Sequence, residues 1–241
     1  MQSQHIVSAY DDELKFLARK IAAMGGQAER MVDQAIAALV NADPALGQRV
    51  IQDDIVLDEA QREIDDKAIL IIARRQPMAT DLREIVGAIR ISADLERVGD
   101  LGKNIAKRVL AVAEGRQPNS LFRGLEALAE LALTQLKEVL DVYASRSVER
   151  IGFVRDRDEQ IDAMYTSLFR ELLTYMMEDP RNITPCTHLL FVAKNIERIG
   201  DHATNIAETI YYIVTGEQMP PERPKEDKSH RVTLEGEGKS G

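Results

Sequence analysis

Leu189, Val192, Ile196, Ile199, Ala203, Ile206, Ile210 and Ile213 follow one another by alternating steps of three and four. Subtracting 101 from each number gives Ala88, Ile91, Leu95, Val98, Gly102, Ile105, Val109 and Val112. Such spacing lines one stripe of an α-helix, so the chain carries the same helical seam twice. A second pair repeats at an offset of 104: Val50, Leu57, Ile64 and Ile71 correspond to Val154, Ile161, Leu168 and Tyr175. Two helices of one half thus have counterparts in the other, in shared register, which predicts a duplicated helical unit.

Between the seams, breaks fall near Asn41-Ala42-Asp43-Pro44, Arg75-Gln76-Pro77, Gly115-Arg116-Gln117-Pro118, Ala144-Ser145, and Asp179-Pro180 to Pro185. They divide the chain into six helices of about 25 to 35 residues each. Trp is absent and aromatics are 5% of the chain, while Ala, Leu, Ile, Glu and Arg dominate the segments, which favours helix over strand. The expected fold is all-α: two tandem three-helix bundles, residues 6–114 and 119–216, related by a pseudo-twofold. From Glu217 onward Pro, charge and Gly replace periodicity, and 217–241 is expected to be a disordered tail.

Acidic residues outnumber basic ones by 40 to 31, spread along the chain, which argues against nucleic acid as a partner. Cys186 is the only cysteine; it is expected in a Thr- and Pro-rich loop as a buried or idle thiol. No run approaches 18 apolar residues, and Met1-Gln2-Ser3-Gln4-His5 does not open a signal peptide, so a cytoplasmic protein is expected, with docking onto a membrane complex still open.

The chemistry-bearing feature is acidic. Glu96 with Asp100 and Glu197 with Asp201 recur in the repeated phrase, and Asp54 with Asp58 recurs as Asp158 with Asp162 at the 104 offset. Carboxylates four apart share a helix face about 6 Å apart and repel by a few tenths of a kcal/mol, which a solvated surface tolerates. The chain holds eight such pairs, about as many as random placement of 40 acids gives, so placement rather than number is the signal. Glu29 with Asp33 lacks a counterpart near Leu131 to Lys137 and reads as an ordinary solvated face.

Relative to the seam, Glu96, Asp100 and Asn104 take outward b, f and c positions, with Asp54 and Asp58 toward one flank of their helix. Two such helices side by side would gather four carboxylates once per repeat. All-oxygen donors suit Mg²⁺, Ca²⁺, Mn²⁺ or iron. The plainer reading is a charged bundle surface neutralised by Arg97 and Arg198. Gly99 and Gly200 each cost about 1 kcal/mol relative to Ala in a helix, and close approach by a neighbouring helix is the expected reason. His202 stands opposite Leu101, so it is not part of a duplicated ligand set.

The stretches Asp-Leu-Glu-Arg-Val-Gly-Asp at 94 to 100 and Asn-Ile-Glu-Arg-Ile-Gly-Asp at 195 to 201, with Gln76-Pro77-Met78-Ala79-Thr80-Asp81-Leu82-Arg83, resemble the PhoU family over residues 6 to 216. That resemblance implies a pair of three-helix bundles and a metal site in each. The matching positions are Asp54, Asp58, Glu96 and Asp100, then Asp158, Asp162, Glu197 and Asp201, for a divalent or trivalent hard metal or a multinuclear cluster. It further implies a non-enzymatic, homodimeric regulator of phosphate uptake and starvation signalling. Its implied partners are the ATP-binding subunit of the phosphate transporter and the phosphate sensor histidine kinase. The Gln76-to-Arg83 stretch has no close copy in the second half, where Asp179 to Pro185 stands instead, so the halves need not bind partners alike.

Two other classes remain at this level. A carboxylate-bridged metal oxidase would use inward Glu-x-x-His pairs, and the chain has none. A structural bundle without metal would need no further chemistry.

Overall fold

The computed structural model describes residues 2–112 and 119–220. They form six long helices: α1 Gln2–Val40, α2 Pro44–Arg75, α3 Ala79–Val112, α4 Asn119–Ser145, α5 Ile151–Glu178 and α6 Ile183–Thr215. Short 3₁₀ turns at Val148–Arg150 and Pro180–Asn182 precede α5 and α6. The break expected at 115–118 and the tail from 221 lie outside the described residues. Residues 217–220 have left the helix, and α1 reaches back beyond residue 6 to Gln2.

The helix ends follow from local chemistry. Asp43 accepts hydrogen bonds from the amides of Ala45 and Leu46, both at 3.0 Å, and Pro44 occupies the first turn, where its missing N–H leaves no bond unmade. α6 stops at Gly216, whose φ of 77° is the left-handed conformation glycine adopts without strain. The break expected across Asp179 to Pro185 is shorter than its composition suggested. Only residues 179–182 leave the α-helix, Pro185 is accommodated in the first turn of α6, and Cys186 is therefore helical and fully buried rather than in a loop. Burial pushes its thiol pKa up, which keeps it protonated and unreactive.

α3 lies against α1, α2 and α6, and α6 lies against α3, α4 and α5, so each bundle is a triplet joined to the other through its third helix. α1 also meets α4. All eight residues of each long seam are buried, as are Val50, Leu57, Ile64 and Ile71; among the α5 counterparts only Tyr175 is partly exposed. One continuous apolar core runs through both triplets.

The two central helices run antiparallel. Arg83 donates to the Ile213 carbonyl at 3.4 Å, Asp94 meets His202 at 2.9 Å, and Arg108 meets His188 at 3.0 Å. As α3 advances its partners on α6 recede, so the duplicated phrases face each other at the centre and the local twofold passes between them.

Gly99 explains its own helix cost. A Cβ there would lie 2.2 Å from Leu57 Cδ1, and Leu57 is buried, so its methyl would have to shift within the core. Gly99→Ala adds about 1 kcal/mol of helix propensity but overpacks at a cost of about 1–3 kcal/mol, so net destabilisation in urea is expected. In a Leu57→Ala background, itself costing about 2–5 kcal/mol, Gly99→Ala should instead stabilise by about 1 kcal/mol. Equal effects in both backgrounds would show that the contact is not what excludes a side chain.

Candidate carboxylate sites between paired helices

In the first bundle α2 presents Asp54 and Asp58, and α3 presents Glu96 and Asp100. Asp54 and Asp100 share one cation. Lys103, one helical turn beyond Asp100, is 2.6 Å from Asp100 and also hydrogen-bonds Asp54 across the helix pair. Burial works against the Lys103 ammonium, but the hydrogen bonds and charges of Asp100 and Asp54 outweigh it and push its pKa above the ordinary lysine range. Arg97 reaches Glu96 at 3.5 Å and Asp100 at 3.4 Å from the solvent side.

Glu96 is held above the ordinary carboxylate range, first by burial and then by the charge of Asp100, with Asp58 and Asp54 adding and Arg97 opposing. These four carboxylates therefore share one electrostatic neighbourhood.

In the second bundle Asp158, Asp162 and Glu197 are buried and Asp201 is half-buried. Gly200 keeps α6 open to α5. A Cβ at Gly200 would lie 3.0 Å from Gln135 Oε1, 3.1 Å from Ile161 Cδ1 and 3.5 Å from Asp158 Oδ1. Lys194 bonds Glu197 at 2.7 Å while lying over the Tyr165 ring. The 101-residue counterpart of Lys103 is Thr204, so the cation that joins the first set has no equivalent at that place in the second.

Gln135 of α4 is fully buried there. Its amide nitrogen donates to the Val154 carbonyl at 2.9 Å and to Thr204 at 3.2 Å, while its oxygen has no hydrogen-bond partner among the described residues. The carbonyl partner fixes which end of the amide is nitrogen. A buried amide oxygen left unpaired carries a desolvation cost, and it stands beside Asp158 as a further hard donor.

The outward assignment of the acids needs correction. Asn104 is exposed, but Glu96 and Asp100 are partly buried, and Asp54, Asp158, Asp162 and Glu197 are buried. A heptad frame drawn on one seam assumes one neighbour, whereas α3 and α6 each have three, so positions b and f meet a second helix. Among the described residues no three acidic, His or Cys side chains converge as metal ligands do; in the first set Lys103 fills the gap between Asp54 and Asp100. The donor chemistry suits a hard cation, and the geometry requires the lysine to yield first.

His202 pairs with Asp94 across the α3–α6 contact. Glu29 and Asp33 line a shallow groove with Lys137 and with Glu126 and Glu130, two acids of α4 that a fixed offset does not pair with them. Lys103 was legible as a local partner of Asp100; its reach to Asp54, and the role of Gln135, needed the helix packing.

A carboxyl whose pKa is raised on folding costs stability while ionised, fully above its folded pKa, and that cost disappears as pH falls toward the unfolded value. Glu96→Gln, measured by urea denaturation in EDTA, should therefore be more stable than the parent at about pH 7 and no more stable near pH 4. A less stable variant at neutral pH would contradict this placement of Glu96.

Comparison with known proteins agrees with this architecture. A family model described as the PhoU domain matches residues 21–109 and again 125–210. The phosphate-specific transport system accessory protein PhoU homolog of Rhizobium meliloti is 71% identical over 227 residues, covering 94% of this chain and 96% of that protein. The homolog of the same name from Caulobacter vibrioides is 50% identical over 225 residues, covering 93% and 98%. Among solved structures, PhoU from Pseudomonas aeruginosa superposes with a TM-score of 0.81 at 36% identity, covering 86% of this chain and all of that one. The phosphate transport system regulatory protein PhoU from Streptococcus pneumoniae gives 0.81 at 27% identity, covering 88% and 100%.

Proposed function

The chain belongs to the PhoU family, and on that premise we propose that it is an accessory and regulatory protein of a phosphate-specific transport system, acting by binding rather than turnover. In this reading it restrains phosphate uptake and starvation signalling when phosphate is plentiful. It does so by contacting the ATP-binding subunit of the transporter and the phosphate sensor histidine kinase, working as a cytoplasmic homodimer at the inner face of the membrane. No described helix is long and apolar enough to cross a membrane, so attachment there would come through partners.

The observation that carries the chemical part is the retention of four carboxylates on each matching helix pair, in both halves of a chain whose relatives are named as phosphate-transport accessory proteins. Asp54, Asp58, Glu96 and Asp100 would hold one hard cation or cluster, and Asp158, Asp162, Glu197 and Asp201 another, with iron, Mn²⁺, Mg²⁺ or Ca²⁺ as the candidates. A metal held there would supply positive charge that relieves the carboxylate repulsion and would attract an anionic partner group. Ile55 and Val56 stand exposed beside Asp54 and Asp58, giving such a partner apolar surface to bury next to the charge.

Lys103 sets the terms of metal binding at the first set. Its ammonium neutralises the Asp54 and Asp100 carboxylates that the metal needs, so metal and lysine compete. Lys103→Met should raise Mn²⁺ affinity at the first set by about tenfold, read as metal retained after dialysis and as a larger rise in Tm on adding Mn²⁺. An unchanged metal content would remove Lys103 from the competition. The regulatory part is tested by pull-down at micromolar protein and millimolar Mn²⁺. Recovery of the transporter ATP-binding subunit or the kinase cytoplasmic domain is expected, and recovery of neither would overturn the adaptor reading.

A further inference from the structure

One helical turn beyond Asp100, where the C-terminal half of α3 passes the N-terminal half of α6, a groove of about 430 Å³ is lined by Asn104, Lys107, Arg108, Ala111, His188 and Asn195. No acidic side chain is among these lining residues. Arg108 pairs through one terminal nitrogen with His188 Nδ1 at 3.0 Å, and its guanidinium lies 4.2 Å from the centre of the Phe191 ring. It has no carboxylate partner among the described residues, and its Nε–H is out of water with no acceptor. A guanidinium carries five N–H donors, so several of them can still turn to a ligand in the groove. Lys107 beside it also lacks a carboxylate among the described residues.

The duplication supplies an internal control. The 101-residue counterparts of Asn104, Lys107, Arg108, His188 and Asn195 are Asn205, Glu208, Thr209, Gly87 and Asp94. At that related end Asp94 accepts from His202 and Asn205, and Arg90, Glu208 and Thr209 are among the residues lining a groove of about 390 Å³. The apolar seams of the two copies have stayed in register, while the related groove sets one base, Arg90, beside one acid, Glu208, and this one holds two bases and no acid. Packing does not require the difference, since both ends bury the same seam.

We propose that the groove of Lys107, Arg108 and His188 is a binding site for a phosphoryl group, carried by free phosphate or by a small phosphorylated metabolite. Two fixed cations and two carboxamides face one space. A carboxylate brings one charge and two oxygens, whereas a phosphoryl group brings nearly two charges and three acceptor oxygens. Planar guanidinium and mobile ammonium groups both suit it. The volume lies within the range of about 300–1,000 Å³ usual for small-molecule pockets, larger than one phosphate needs, so an organic portion has room beside the phosphoryl group. The site is separate from the metal reading and stands whether or not the carboxylates bind metal.

His188 is one of only four histidines, so its imidazole NMR signals report on the groove directly. The full chain, kept in EDTA so that no metal draws phosphate to the carboxylates, is titrated with inorganic phosphate, with adenosine 5′-monophosphate, and with sodium chloride at matched ionic strength. Saturable movement of the His188 signals with a phosphoryl probe is expected, absent with chloride. Lys107→Gln should weaken binding by about fivefold and Arg108→Gln by about tenfold, while Glu208→Gln at the related end leaves it unchanged. Tighter binding of the nucleotide assigns the site to a phosphorylated metabolite, and tighter binding of inorganic phosphate assigns it to the free ion. Because Lys107 is exposed on α3, its substitution tests the site even if Arg108→Gln disturbs packing on Phe191. Movement that chloride reproduces, or parental affinity in Lys107→Gln, would overturn the proposal.

Discussion

The antiparallel contact between α3 and α6 governs the rest of the molecule. Both helices bury an eight-residue apolar stripe, and each is then covered on further sides by the other two helices of its own triplet. A helix surrounded in this way has few positions left for solvent. Acids that a simple two-faced helix would show to water are drawn into the gaps between neighbours, where their charge must be met by a lysine, a hydrogen bond or a bound cation. Gly99 and Gly200 belong to the same constraint, since the neighbouring side chains fill the volume a Cβ would take.

Much of this was legible in the sequence because the duplication made the periodicity self-checking. The seam positions of α2, α3 and α6 are buried, and Asp43-Pro44 ends one helix and starts the next as its chemistry dictates. The surroundings of the acids were not legible, because a heptad frame has one seam and α3 has three neighbours. Pro180 and Pro185 suggested a long loop, yet proline in a first helical turn leaves no bond unmade, and α6 begins at Ile183. Lys103 reaching Asp54, Gln135 reaching Thr204 and Arg108 meeting His188 all depend on which helices touch and in which register, and spacing along the chain does not carry that.

The two copies have preserved packing more faithfully than polar chemistry. Lys103 joins the carboxylates of the first set, while Thr204 at its counterpart position accepts from Gln135. Lys107 and Arg108 correspond to Glu208 and Thr209 at the related end of the contact. An apolar seam tolerates little change because every position contacts several others, whereas a flank can change its charge without disturbing the core. The duplicated frame thus holds two carboxylate sets, and grooves at the two ends of the α3–α6 contact, that differ in their electrostatics.

Anomalous X-ray scattering at the manganese edge, from crystals of the full chain grown with Mn²⁺ and without chelator, tests the carboxylate sets most directly. Peaks are expected between α2 and α3 at Asp54, Asp58, Glu96 and Asp100, with Lys103 displaced, and between α5 and α6 at Asp158, Asp162, Glu197 and Asp201. No peak at either set, with Lys103 still joining Asp54 to Asp100, would contradict the cation-binding role.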